Sequence, residues 1–246
     1  FPEEVNRKLA TTLVSLHFAP TDAARSALLR EGVPDETIAV TGNTVIDALL
    51  MEVATQQRDA VLREGVGHEL SALLGADWSD APFVLITGHR RENFGKGFDE
   101  ICAAIAGLAT RFPSYRFVYP VHLNPKVLDI NAAAGGMVNM LKRLIGEDIK
   151  LETKLAAQPC LVKVDAGQID HVNRLLGGLS NVRLIPPQGY RHFVALMARC
   201  RLVLTDSGGV QEEAPSLGKP VLVMRDTTER PEGVTAGTAL LTGPRA

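Results

Sequence analysis

A chain of 246 residues and 26.4 kDa has the length of one large domain or two small ones, at about 150 residues per domain. Hydrophobic residues make up 46% and charged residues 22%, with a mean hydropathy of +0.07, which excludes a disordered tail or a fibrous repeat. A net charge of −2 and a pI near 6.3 supply no overall basic field, which argues against nucleic acid or an anionic membrane as partner.

The chain opens at Phe1 with FPEEVNRKLATTLVSLHFAPT, which reads as a helix start, an apolar stretch and a turn, with no strand before it. Residues 21–29 (TDAARSALL) combine a Thr/Asp start with apolar residues at helical spacing and predict a capped helix. A short strand is expected at 37–40, and GNTVIDALLMEVA begins a second helix. Residues 58–80 are polar, helix-compatible and weakly patterned, and read as a linker. FVLIT (83–87) is a continuous apolar run of strand length, followed by GHRRENFGKG. Residues 98–108 have helical period and 116–121 are strand-like. Strands VRLI (182–185), RLVLT (201–205) and PVLVM (220–224) then alternate with the stretches 193–198 and the run after Gly209. Buried strands alternating with amphipathic helices imply an α/β fold with a parallel, doubly wound sheet, whose ligands sit past the carboxyl ends of the strands. The last residues, ALLTGPRA, stop just after a strand, and both ends read as cut from a longer protein.

Cys102, Cys160 and Cys200 are odd in number, widely spaced and without a CxxC pair, and read as reduced core thiols. No apolar run approaches the roughly 20 residues of a membrane span, and no signal-like segment opens the chain, so a cytoplasmic location is expected.

Four polar clusters follow strands. In LTDSGGVQEEA (204–214), Gly208 and Gly209 let backbone amides approach an anion at a helix start, Ser207 adds a hydroxyl, and Glu213 lies one turn into the helix, placed for two ribose hydroxyls. A plain glycine turn with a dipole-favoured acidic first turn accounts for the same string. In Thr87-Gly88-His89-Arg90-Arg91-Glu92, two arginines and a histidine suit a diphosphate or form a solvated charge cluster. The GKG at 95–97 lacks a third glycine and is weak. In MRDTTERPE (224–232), Arg230 beside Pro231 reaches a phosphate or pairs with Glu229 or Glu232. VHLNP (121–125) carries His122, a lone histidine that a structural role also explains. Four such clusters at successive strand ends favour one anionic, nucleotide-type ligand.

The strings FPEEVNR, TGNTVIDALL, TGHRRENFGKGF, VYPVHLNP, LTDSGGVQEEAPSLGKPVLVMRDTTERPE and TAGT, in this order, resemble the non-hydrolysing UDP-N-acetylglucosamine 2-epimerases over 1–127 and 172–246. The resemblance implies a glycosyltransferase-B-like fold of two Rossmann-like domains, usually a homodimer, with the UDP-sugar between them. It implies interconversion of UDP-N-acetylglucosamine and UDP-N-acetylmannosamine without NAD or metal. The C2 proton leaves with departure of UDP, and UDP then re-adds with protonation of the other face. It assigns Ser207, Gly208, Gly209 and Arg230 to the diphosphate, Glu213 to the ribose, and Gln188 and Phe193 to the uridine pocket. His89 falls beside the leaving group, Glu3 on an acid/base carboxylate, and Arg90 and His122 on a second, activating UDP-sugar site. On this reading 1–46 is a remnant of the amino-terminal domain, 47–80 a linker or helical connection, and 81–246 the UDP-binding domain. The family's other catalytic Asp and Glu fall outside these residues, so the chain alone is expected not to epimerise. A UDP-binding module without catalysis and a glycosyltransferase of the same fold are the alternatives.

Residues 126–171 interrupt the resemblance. GEDIKLET and VKVDAGQIDHV resemble the start of a histidine-kinase ATP-binding domain, but neither its asparagine-bearing helix nor a DxGxG lid follows, so no kinase function is implied. This insertion reads as a strand-like pair (149–153 and 160–165) and an amphipathic helix (137–145).

Overall fold

The computed structural model describes residues 2–78, 80–88, 96–121, 126–129, 161–164 and 172–243. The chain begins with α1 (Pro2–Thr11), β1 (His17–Ala19), α2 (Asp22–Arg30), a 3₁₀ turn (Asp35–Thr37) and β2 (Ile38–Val40), and β1 and β2 pair in parallel. The capped helix expected at 21–29 is α2: the Thr21 hydroxyl accepts from the Ala24 amide at 3.1 Å. β1 lies inside the stretch read as apolar segment and turn; three residues are too few for an alternating pattern to register.

Asn43 caps α3 (Thr44–Arg58), accepting from the Val45 amide at 3.1 Å. Asp59 then caps α4 (Ala60–Leu74), accepting from Leu62 at 2.9 Å. The linker reading of 58–80 is corrected here. Its helix compatibility holds, but Val66, Leu70 and Leu74 recur every fourth residue and are buried in the core against α3 and the sheet. Gly65, Gly67 and His68 among them dilute the pattern. Trp78 follows, buried, with its indole Nε1 donating to the Ser71 hydroxyl at 3.2 Å.

Next come β3 (Phe83–Thr87), α5 (Lys96–Arg111), β4 (Arg116–Pro120), β5 (Lys126–Asp129), β6 (Leu161–Val164) and β7 (Val182–Ile185). They are followed by α6 (Tyr190–Arg199), β8 (Leu202–Thr205), α7 (Val210–Ser216), β9 (Val221–Val223), α8 (Pro231–Thr235) and β10 (Ala239–Leu241). Six of these strands form one all-parallel sheet in the order β10-β9-β8-β3-β4-β7, the doubly wound sheet expected from the sequence. Both of its faces are covered. Phe83 and Leu85 pack with Leu49, Leu70, Leu196 and Val203, while Val84 and Ile86 pack with Ile101, Ile105, Phe117 and Leu204. A strand buried on both faces has no polar side, which is why FVLIT is an unbroken apolar run.

β5 and β6 form a separate antiparallel pair. The strand expected at 160–165 therefore exists as β6, paired with 126–129. Residues 149–153 and the helix expected at 137–145 lie outside the described residues. Cys102 and Cys200 are buried free thiols, each pushed up to about 11 by burial, the character of inert core cysteines. Cys160 lies outside the described residues. No helix among the described residues is long and apolar enough to cross a membrane.

Candidate functional site

The chain progresses from β3 to β4 and β7 on one side, then returns through α6 to lay β8, β9 and β10 on the other. The direction of winding thus reverses between β3 and β8, the place where a parallel sheet opens a crevice for a ligand. Thr87 ends β3 and Thr205 ends β8, and their hydroxyls are hydrogen-bonded to each other. The Asp206 amide donates to the Thr87 carbonyl at 3.2 Å and the Ser207 amide to the Thr205 hydroxyl at 3.0 Å. These bonds fix how the loop after β8 leaves the sheet. From the neighbouring β4 the Tyr119 hydroxyl donates to the Gly88 carbonyl at 3.0 Å, and burial holds the phenol well above its usual titration range. A Cβ at Gly88 would stand 3.3 Å from that hydroxyl and 3.8 Å from Asp206 Oδ2, so a side chain here would crowd Tyr119.

Gly209 is a different case. Its φ of −64° and ψ of −45° are open to any residue, and a Cβ there would meet nothing within 4 Å. Neither backbone nor packing demands glycine, and the position borders open space at the start of α7. The Glu212 and Glu213 amides both donate to the Gly209 carbonyl at 3.0 Å. Gln211 is buried; its Nε2 donates to the Ser207 carbonyl at 3.2 Å and its Oε1 accepts from the Thr228 hydroxyl at 2.6 Å. Thr228 in turn accepts from the Arg230 amide at 3.0 Å, so the loop after β8 and the segment after β9 are braced together.

Arg230 does not pair with Glu229 or Glu232, the partners weighed from sequence. Glu229 is held by Arg225 at 2.6 Å, and Arg230 Nε is paired with Glu212 Oε1 and closed off from solvent. The other Glu212 oxygen accepts from Asn43 Nδ2, across 169 positions of sequence. Glu213 is half-buried beside it. Burial first, and the Glu212 carboxylate second, hold its carboxyl above the usual 4.5. The folded state therefore favours the protonated form, and the ionised carboxylate works against folding as pH rises above 4.5. Glu213→Gln is accordingly expected to raise stability at neutral pH, with the gain vanishing below 4.5, as measured by urea unfolding at the two pH values.

Gln188, half-buried after β7, donates to the Pro186 carbonyl at 2.6 Å, and Phe193 packs from the first turn of α6 against the core. Gln188, Ser207, Gly208, Gly209 and Arg230 thus follow the carboxyl ends of β7, β8 and β9 on one edge of the sheet, with Glu213 in the first turn of α7. His89, Arg90 and His122 lie outside the described residues, as does the side chain of Glu3, whose backbone belongs to α1. Among the described residues no three His, Cys, Asp or Glu side chains converge as a metal site. Sequence reasoning missed Asn43, Glu212, Gln211 and Thr228 as members of this network. The acidic first turn was visible, but its partners were not.

A family model described as UDP-N-acetylglucosamine 2-epimerase matches residues 1–246. The UDP-N-acetylglucosamine 2-epimerase of Escherichia coli (strain K12) is 47% identical over 243 residues, covering 99% of this chain and 53% of that protein. The crystal structure of the Neisseria meningitidis UDP-GlcNAc 2-epimerase bound to UDP-GlcNAc has a TM-score of 0.73 and 38% identity, covering 99% of this chain and 53% of that one. The Methanocaldococcus jannaschii enzyme, in complex with UDP-GlcNAc and UDP, has a TM-score of 0.67 at 28% identity, covering 99% of this chain and 54% of its own. The chain spans about half the length of the curated relatives it matches. The fold is the α/β, glycosyltransferase-B-like one expected from the motifs. A match running from the first residue to the last, on a parallel sheet with its glycine loop at the winding reversal, places this chain in the UDP-N-acetylglucosamine 2-epimerase family.

Proposed function

We propose that these residues supply the UDP-binding half of an enzyme that interconverts UDP-N-acetylglucosamine and UDP-N-acetylmannosamine by elimination and re-addition of UDP. The observation that carries this reading is the winding reversal itself: an unfilled Gly209 position at one wall and the Arg230 guanidinium braced at the other. The Neisseria relative binds UDP-GlcNAc, and the Methanocaldococcus relative binds UDP-GlcNAc and UDP. On this reading Ser207, Gly208, Gly209 and Arg230 hold the diphosphate, Glu213 takes the ribose, and Gln188 and Phe193 border the uridine. Elimination leaves negative charge on departing UDP, and a preorganised guanidinium with backbone amides stabilises that charge where it develops. His89 eases the departure, Glu3 belongs to the acid/base work, and Arg90 and His122 belong to a second UDP-sugar site. The domain boundaries at 46 and 80, the homodimer and the cytoplasmic location are carried over with the same reading.

Removing a proton from an unactivated sugar C2 needs positioned bases, and the family resemblance assigns only Glu3 within these residues. The chain alone is therefore expected to bind UDP and to form no UDP-N-acetylmannosamine from UDP-N-acetylglucosamine. An amino-terminal half supplied from a relative should restore turnover. Epimerisation by the chain alone would overturn the half-site reading. Gly209→Ala tests the cradle: stability should stay within about 0.5 kcal/mol because the backbone tolerates alanine, while UDP affinity falls about tenfold as the methyl group enters the phosphate's space.

A further inference from the structure

We propose that Asn43 and Glu212 are positioning residues for the nucleotide diphosphate, acting through Arg230. This rests on the reading of Arg230 as a phosphate ligand. Arg230 offers five N–H donors in a rigid fork. Glu212 Oε1 forms an ion pair with Arg230 Nε, and Glu212 Oε2 is itself held by Asn43 Nδ2. The Nη groups have no partner among the described residues and stay available for a bidentate contact with phosphate oxygens.

Each member of this chain is fixed from a different element. Asn43 cannot rotate freely, because its Oδ1 caps α3 at Val45 while its Nδ2 reaches Glu212. Glu212 stands in the first turn of α7, and its side chain is 25% exposed. Arg230 heads α8, with its backbone tied through Thr228 to Gln211, the residue next to Glu212. Two adjacent residues of α7 thus hold Arg230 twice, Gln211 through the backbone and Glu212 through the side chain. A long arginine held this way has lost its rotamer freedom before a ligand arrives, which lowers the cost of ordering it on binding. An ordinary surface ion pair needs no third partner 169 positions away. Asn43 also precedes α3 directly, and α3 packs on α4, α6 and α7, so diphosphate occupancy is linked to the seating of that helix.

The test uses the 246-residue chain with UDP, followed by calorimetry, and uridine, followed by ligand-observed NMR. Asn43→Ser keeps a capping oxygen for α3 and removes only the amide donor. Glu212→Ala removes the carboxylate. We expect Asn43→Ser to weaken UDP about fivefold and Glu212→Ala about tenfold, with uridine affinity unchanged, because only the phosphate contact is loosened. In an Arg230→Ala background neither substitution should cost anything more. UDP affinity unchanged or tightened, equal losses for UDP and uridine, or losses that add to that of Arg230→Ala would each overturn the proposal. Failure of the unsubstituted chain to bind UDP would overturn the phosphate reading of Arg230 beneath it.

Discussion

Replacing Arg230 with alanine is expected to weaken UDP binding about 10- to 150-fold, the equivalent of losing a charged hydrogen-bond donor. The loss has two parts. The guanidinium no longer meets the diphosphate, and Glu212 keeps Asn43 but loses its cation beside the half-buried Glu213. Both changes make the site more negative where an anion must sit. Calorimetry with UDP, alongside circular dichroism to show an intact fold, measures the effect. An affinity unchanged in a folded variant would contradict the assignment of Arg230 to the phosphates.

Leu85→Ala is expected to act on the fold instead. Leu85 is fully buried on β3, beside Val118 of β4 and Val203 of β8, at the centre of the sheet. Removing its side chain leaves a cavity between the sheet and the helices packed on it, at a cost of about 2–5 kcal/mol. Against a net stability of about 5–15 kcal/mol this is a large share, so the urea midpoint should fall sharply. UDP should still bind under conditions where the variant remains folded, because Leu85 lies in the core and contributes nothing to the carboxyl edge. A midpoint close to that of the unsubstituted chain would show that the core around β3 is not packed as described.

The strands that build the site were legible because they are buried on both faces: FVLIT and RLVLT each carry an unbroken apolar run that matches β3 and β8 to within one residue. The cap at Thr21 was legible for a local reason, since a side chain and an amide three positions on suffice to define it. β1 was too short to leave a period, and α4 spread its buried residues among glycines and polar groups. The glycine loop could be read because strand, turn and helix start are contiguous. The pairing of Arg230 could not, because its nearest carboxylates in sequence are Glu229 and Glu232, while the fold delivers Glu212. Nothing in a linear reading brings Asn43 to that carboxylate. The pairing of β6 with 126–129 escaped notice for the same reason: it is a long-range antiparallel contact that no local period reports.

The most direct test of the central claim is a titration of the 246-residue chain with UDP. The account predicts saturable binding, weakened on substitution of Arg230 and retained when the sugar is absent, since the contacts assigned to Gln188, Phe193, Ser207, Gly208, Gly209, Glu213 and Arg230 go to uridine, ribose or diphosphate. A folded chain that takes up no UDP would contradict it, and the winding reversal between β3 and β8 would then be a family inheritance without a working nucleotide site.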